Sequence, residues 1–133
     1  MNYHQTQIRV RYSETDQMRV VYHGNYAQYF EIGRVEWLRN QGISYKWMEE
    51  NGIMLPVVSL TMNYKKSARY DELLTLKTFL KKMSTVKIEF DYELYNEKEE
   101  LLTTGNSILV FVDMKTGKPT SPPQYISDIL NRA

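Results

Sequence analysis

The sequence of 133 residues contains no cysteine and only two histidines, His4 and His23. The absence of cysteine excludes disulfides, thiolate metal ligands, iron–sulfur clusters and a thiol nucleophile. Two histidines are also too few for a histidine-rich metal site. We therefore expect chemistry that needs neither a metal nor a protein-bound cofactor.

The chain also lacks a surplus of either charge and a long hydrophobic run. Lys and Arg number 17 and Asp and Glu number 16, which gives a formal net charge of +1. A nucleic-acid-binding protein usually carries a basic surplus, so we expect no nucleic-acid partner. No stretch reaches the roughly 18 apolar residues of a membrane span, and the polar N-terminus does not resemble a signal peptide. The expected location is the cytoplasm, with no membrane partner.

Glycine and proline are few, with six and four residues, and no linker or repeat divides the chain. A chain of this length suits one hydrophobic core, so residues 1–133 are expected to form a single domain. Hydrophobic residues at 42% and charged residues at 25% are ordinary for a globular protein and exclude disorder.

Hydrophobic periodicity predicts one long helix and five strands. Apolar residues at three- and four-residue steps predict the helix over residues 25–40, and Gly33 lies on its apolar face. A glycine inside a helix costs about 1 kcal/mol relative to alanine, so we expect a strand to pack closely against Gly33. Alternation predicts strands at about residues 8–12, 58–65, 74–80, 86–94 and 102–112. Shorter helices are predicted at 44–51, with Ser44 as N-cap, and within 121–133.

The order of these elements is strand, long helix and then four consecutive strands. Consecutive strands suggest an antiparallel meander. One helix cannot cover both faces of five strands, so the sheet should wrap around the helix. We expect a second subunit to close its exposed edge or outer face.

A carboxylate, Asp16, stands in the loop before the long helix. The N–H groups at a helix N-terminus carry partial positive charge and can hold a developing oxyanion. A neighbouring carboxylate can activate water or attack a carbonyl carbon. These parts suit acyl transfer, although an aspartate in such a loop can also serve only as a turn or capping residue.

Asp16 belongs to a longer motif over about residues 8–40. Its members are the run Arg11-Tyr12-Ser13-Glu14-Thr15-Asp16, then Val20-Val21-Tyr22-His23 and Asn25-Tyr26, and the helical Tyr29-Phe30-Glu31 and Arg34. The motif resembles that of the 4-hydroxybenzoyl-CoA thioesterase-like family of hotdog-fold acyl-CoA thioesterases. The resemblance implies an α+β hotdog fold, in which a five-stranded antiparallel sheet wraps around one long central helix. It also implies hydrolysis of acyl-CoA to a carboxylic acid and free CoA by a homodimer or homotetramer, with coenzyme A present only as part of the substrate.

The resemblance also implies roles for individual residues. Asp16 matches the catalytic aspartate, which acts as general base or as nucleophile. The N–H groups of His23 and Gly24 match the donors that polarise the thioester carbonyl, and a histidine side chain like that of His23 assists in one branch of the family. Glu31 matches a carboxylate that faces the neighbouring subunit's site in some members. Its alternative role is an ion pair with Arg34 on a solvated helix face.

Further residues are candidates for substrate binding. Tyr22, Asn25 and Tyr26 match residues that line or shape the family's pocket. Arg19 stands where many members have glycine, so it could narrow the pocket, meet a charged substrate group or point to solvent. The last candidates are the basic residues Lys65, Lys66 and Arg69. They could bind the phosphates of CoA, or they could keep a strand end soluble.

The sequence is also compatible with other functions. An acyl-carrier-protein thioesterase on the same fold would need a basic docking patch instead of a nucleotide pocket. A non-catalytic acyl-CoA binding module would bind ligand without turnover. A hotdog dehydratase fits less well because its Asp and His should be arranged differently from Asp16 and His23, and a purely structural protein leaves the motif unexplained.

Overall fold

The computed structural model describes residues 3–132. The strands are β1 (Tyr3–Arg9), β2 (Ile53–Met54), β3 (Val57–Tyr64), β4 (Leu73–Met83), β5 (Lys87–Tyr95), β6 (Leu101–Val110) and β7 (Val112–Asp113). Five of them form one sheet in the order β1-β4-β5-β6-β3, and every neighbouring pair is antiparallel. The short strands β2 and β7 pair separately. The predicted five-stranded antiparallel sheet is therefore confirmed.

The helices also follow the sequence pattern. They are α1 (Tyr26–Asn40), α2 (Tyr45–Glu50) and α3 (Gln124–Arg132), and 3₁₀ turns span Tyr12–Glu14 and His23–Asn25. Ser44 caps α2 as predicted, because its hydroxyl accepts a hydrogen bond from the Trp47 N–H at 3.2 Å. The predicted C-terminal helix ran to Ala133, which lies outside the described residues. No helix within residues 3–132 has the length and hydrophobicity of a membrane span.

The core lies between α1 and the inner face of the sheet. Phe30 of α1 stacks on Tyr92 of β5 with ring centroids 4.5 Å apart, and both side chains are buried. A Cβ added to Gly33 would lie 2.5 Å from Leu76 Cδ2 and would also meet Thr78 Oγ1. The close approach of a strand to Gly33 is therefore confirmed, with β4 as that strand.

One part of the predicted topology is wrong. Only β4, β5 and β6 form a meander, because β3 pairs with β6 instead of with β4. Residues 65–72 carry the chain from one edge of the sheet across to β4. Sequential strands pair in most proteins, but a connection longer than a hairpin turn permits this crossover.

The first strand is also displaced from its predicted position. Strand β1 ends at Arg9, and Tyr12 lies exposed in a 3₁₀ turn. The strand begins earlier because an edge strand with one solvated face can carry polar residues such as Gln5 and Gln7. The buried Val10 continues the apolar alternation, which explains why the pattern extends past the end of the strand.

Candidate active site

The loop between β1 and α1 places Asp16 in a tight turn. The Asp16 N–H donates to the Val20 carbonyl at 2.9 Å, and the Arg19 N–H donates to the Asp16 carbonyl at 2.9 Å. The Met18 N–H also donates to Asp16 Oδ1 at 2.8 Å. The aspartate is exposed, so its carboxylate is oriented by one backbone donor while it remains open to solvent.

Arg19 has a left-handed backbone, with φ at +63°. This conformation favours glycine because an L side chain is crowded there. The position thus keeps the backbone geometry that a glycine would supply, although its residue is an arginine. The Arg19 side chain is exposed and does not line the cleft described below.

The helix that follows the loop begins with a 3₁₀ turn. The Tyr26 N–H donates to the His23 carbonyl within this turn, which leads directly into α1. The first N–H groups of a helical segment have no partner within the helix, so those of His23 and Gly24 stand at an open helix start. Tyr64 of β3 holds this start in place, because its hydroxyl donates to the His23 carbonyl at 3.2 Å.

The Asp16 loop, the helix start and the end of β3 enclose a cleft of about 540 Å³. Its lining residues are Asp16, Val20, Val21, His23, Tyr26, Tyr64, Lys65, Lys66 and Ser67. Residues far apart in the sequence therefore meet here: an open carboxylate, a helix start and two lysines. Tyr64 and Ser67 were not predicted as site residues, because their place depends on the crossover after β3.

Aromatic rings form one wall of the cleft. The His23 ring lies 4.4 Å from that of Tyr22 and 6.2 Å from that of Tyr64, between centroids. The Tyr26 ring lies 5.3 Å from that of Tyr64. Tyr26 is buried, and burial raises the pKa of its phenol even though its oxygen accepts a hydrogen bond from the Ala68 N–H. The phenol is therefore protonated at neutral pH, and the rings of this wall meet one another at tilted or edge-on angles.

Several predicted residues lie outside the cleft. Tyr22 is half-exposed and flanks it, and Gly24 leaves room for the Tyr22 ring, since an added Cβ would lie 2.8 Å from it. Asn25 turns away, and its Nδ2 donates to the Glu14 carbonyl at 2.8 Å. Glu31 is exposed on α1, and within residues 3–132 it forms no ion pair with Arg34.

The three predicted basic residues divide between two clefts. Lys65 and Lys66 line the main cleft, whereas Lys66 and Arg69 line an adjoining cleft of about 420 Å³. The Lys66 amine also pairs with the Glu100 carboxylate. Lys65 thus belongs to the main cleft alone, while Arg69 extends the basic surface beyond it.

Glu14 is a residue whose importance the sequence did not reveal. It is only 7% exposed and lies at the junction of the loop and α1. Burial raises the pKa of its carboxyl, but hydrogen bonds from the Arg11 N–H, the Tyr29 hydroxyl and the Arg11 guanidinium outweigh burial and lower the pKa overall. Glu14 was visible only as one acidic residue of the motif, because nothing local distinguishes a buried carboxylate from an exposed one.

Comparison with known proteins agrees with this geometry. The Thioesterase-like superfamily matches residues 10–130. The acyl-CoA thioester hydrolase YbgC of Escherichia coli O6:H1 is 30% identical over 119 residues, which cover 90% of this chain and 89% of YbgC. YneP of Bacillus subtilis is 36% identical over 90% of this chain and 86% of its own. A DHNA-CoA thioesterase from Staphylococcus aureus superposes with a TM-score of 0.91 at 43% identity, over 97% of this chain and 87% of that one.

The sheet wrapped around one long helix, with a cleft at the helix start, defines a hotdog-fold thioester hydrolase. The chain belongs to the Thioesterase-like superfamily, and it is an enzyme of this class. The resemblance of its motif to that of the 4-hydroxybenzoyl-CoA thioesterase-like family is confirmed.

Proposed function

We propose that residues 1–133 act as one hotdog domain that hydrolyses acyl-CoA thioesters to a carboxylic acid and free CoA. The observation that carries this proposal is that Asp16 and the helix start at His23 line the same cleft. A thioester carbonyl held at the helix start would have its carbon beside the Asp16 carboxylate. The names of YbgC and of the Staphylococcus aureus thioesterase support acyl-CoA as the substrate class.

In this proposal Asp16 acts either as general base on water or as nucleophile. The N–H groups of His23 and Gly24 hold the oxyanion that forms, and removing one such donor typically costs about 2.7–4 kcal/mol of transition-state stabilisation. Thiols are far more acidic than alcohols, free cysteine having a pKa of about 8.5, so the CoA thiol departs as thiolate without a strong acid. The reaction thus needs no cofactor other than the CoA of the substrate, and the His23 imidazole has an assisting role at most.

The aromatic wall supports an aromatic acyl group as the preferred substrate. The exposed rings of Tyr64 and His23 offer surfaces to which an aryl ring can pack edge to face or offset, and the buried Tyr26 ring supports Tyr64 from behind. The 43% identical Staphylococcus aureus protein is named a DHNA-CoA thioesterase. A Synechocystis protein of the same fold is named a 1,4-dihydroxy-2-naphthoyl-CoA thioesterase, and the aromatic acyl group in that name agrees with this choice.

The basic residues supply the CoA-binding part of the proposal. Lys65 and Lys66 line the mouth of the cleft, and Arg69 lies on the surface that continues from it. Ammonium and guanidinium groups form charge-assisted hydrogen bonds with phosphates. We assign the nucleotide end of CoA to this surface. Arg19 is not assigned to the nucleotide, since it points to solvent outside both clefts.

A second copy of the chain completes the proposed enzyme. The exposed apolar side chains of β3 include Val58, Leu60 and Tyr64. Leu60 lies opposite the buried Ser107, so it belongs to the inner face of the sheet, yet α1 does not cover it. An unpaired sheet edge beside an open inner face is what a partner strand would cover. The exposed Glu31 would then face the partner's cleft.

The test is release of free thiol from a panel of acyl-CoAs by the wild type and by Asp16→Asn. The panel contains short, medium, long and aromatic acyl groups and one acyl-carrier-protein thioester. We expect turnover of an aromatic acyl-CoA by the wild type and a loss of at least about a hundredfold in kcat for Asp16→Asn. Asp128→Asn, an exposed aspartate of α3 away from the cleft, is the matched control and should retain full activity.

Three other results would contradict the proposal or favour a different function. Full activity of Asp16→Asn would remove Asp16 from the chemistry. Binding of acyl-CoA without turnover by either protein would favour a non-catalytic binding module. Turnover of the carrier-protein thioester alone would favour an acyl-carrier-protein thioesterase.

A further inference from the structure

The Glu14 carboxylate accepts four hydrogen bonds from two different parts of the fold. Oε1 accepts from the Arg11 N–H at 2.8 Å and from the Tyr29 hydroxyl at 2.9 Å. Oε2 accepts from the Arg11 Nε at 3.1 Å and Nη2 at 3.0 Å. One side chain therefore links the chain after β1 to the first turn of α1.

The backbone of Glu14 makes a second set of links. Its carbonyl oxygen accepts from the Tyr22 N–H at 3.0 Å and from Asn25 Nδ2 at 2.8 Å. Tyr22 directly precedes the 3₁₀ turn at the helix start, and Asn25 is the last residue of that turn. Asp16 follows Glu14 by only two residues. Both halves of the proposed site, the carboxylate and the oxyanion donors, are thus attached to Glu14.

We propose that Glu14 is a positioning residue that holds the Asp16 loop and the start of α1 in one reactive geometry. This inference rests on the proposed catalytic role of Asp16. Glu14 does not line the cleft and has no contact with substrate in this scheme.

The burial and ionisation of Glu14 support a positioning role. A carboxylate that is 7% exposed requires full hydrogen bonding, and the lowered pKa keeps it charged at neutral pH. Charge-assisted bonds are shorter and more directional than neutral ones, so they restrict how the loop moves relative to the helix. Small displacements matter in such a site, since a shift of about 1 Å can cost about a hundredfold in rate.

The first test compares the kinetics of wild type, Glu14→Gln and Tyr29→Phe. Glutamine keeps the shape of the side chain but replaces one carboxylate oxygen with an NH₂ group, which cannot accept a hydrogen bond. The two hydrogen bonds that this oxygen accepts are therefore lost. We expect kcat to fall about ten- to a hundredfold with KM within about twofold, and Tyr29→Phe to show a smaller fall of the same kind. Glu36→Gln is the matched control, because Glu36 pairs with Arg39 at the same spacing on an exposed part of α1.

The second test combines Glu14→Gln with Asp16→Asn. Because Glu14 holds Asp16 as well as the helix start, its substitution should lower the residual activity of Asp16→Asn by a clearly smaller factor than it lowers wild-type activity. An equal loss in both backgrounds, or a raised KM with unchanged kcat, would overturn the positioning role. If Asp16→Asn leaves too little activity to measure, the split between kcat and KM in the single variants decides.

A third readout does not depend on activity. Amide hydrogen exchange at Tyr22 and Asp16 should become at least about tenfold faster in Glu14→Gln and should stay unchanged in Glu36→Gln. Wild-type exchange rates and wild-type kcat in Glu14→Gln would overturn the inference even if Asp16 proved essential. Full activity of Asp16→Asn would instead show that Asp16 takes no part in the chemistry, which is the premise of this inference. Tyr29→Phe supplies the same comparisons if Glu14→Gln does not fold.

Discussion

Two carboxylates separated by a single residue have opposite environments in this loop. Glu14 is buried and saturated with hydrogen bonds, whereas Asp16 is exposed and opens onto the cleft. Contrasting environments of this kind separate a structural carboxylate from one that is available for chemistry. At the scale of single residues, the motif thus contains one carboxylate that is bonded within the fold and one that faces the open cleft.

Arg19 gives a prediction that separates backbone from side chain. An L residue in the left-handed region is disfavoured by roughly 1–2 kcal/mol. Replacing it with glycine removes this penalty, but the more flexible unfolded chain offsets about 0.5–1 kcal/mol of the improvement. We therefore expect Arg19→Gly to raise the free energy of unfolding by about 0.5–1 kcal/mol, measured by chemical denaturation.

Arg19→Ala is the control, because it removes the side chain but keeps the strained backbone. We expect no gain in stability from it, and kcat and KM within about twofold of wild type for both variants. A matching rise of KM in Arg19→Ala and Arg19→Gly would show instead that the arginine side chain contacts substrate.

At the scale of elements, the contact between α1 and β4 sets the position of the helix start. Gly33 lets the helix backbone approach Leu76 and Thr78 more closely than any larger residue would. Phe30 lies over Gly105 of β6 in the same way, since a Cβ there would meet its ring. Two glycines, one on the helix and one on the sheet, thus bring the layers together and place His23 at the cleft.

Gly33→Ala should therefore destabilise the protein even though alanine favours helix. Overpacking costs about 1–3 kcal/mol and the gain in helix propensity is about 1 kcal/mol, so we expect a net loss of up to about 2 kcal/mol. The measurement is the denaturation midpoint, with Gln28→Ala on the exposed face of α1 as control. A gain in stability for Gly33→Ala would contradict the close packing.

At the scale of the whole molecule, the edge strand β3 is the feature that a single chain leaves uncovered. Apolar side chains of this strand stand on the inner face of the sheet without cover from α1. The cleft lies at the end of the same strand, because Tyr64 belongs to both. Assembly and activity should therefore be coupled.

Leu60→Lys tests this coupling by placing a charge on the surface that a second copy would bury. Burying an unpaired ammonium is costly, so we expect the variant to dissociate to monomers at concentrations where the wild type is a dimer or tetramer. We also expect thiol release to fall at least about tenfold. Sedimentation velocity measures the first effect. Thr61→Lys, on the same strand but the opposite face, should leave both unchanged. A monomeric wild type with full activity would refute the coupling.

Much of the local structure could be predicted from the sequence. The periodicity of residues 25–40 indicated α1, Ser44 indicated the start of α2, and Gly33 indicated a close strand. These signals are local, since helix spacing and capping depend on residues within a turn of one another. The motif that carries Asp16 and the helix start was readable for the same reason.

The tertiary structure decided what depends on distant segments meeting. The crossover of β3 to the far edge of the sheet, and with it the entry of Tyr64 and Ser67 into the cleft, follows from strand pairing that no local pattern encodes. The burial of Glu14 depends likewise on Tyr29, which lies 15 residues away and donates from another element. The sequence by itself determined most of the elements and marked Asp16 as the candidate carboxylate. Only the fold decided which residues surround that carboxylate, because burial and pairing are properties of the packed chain.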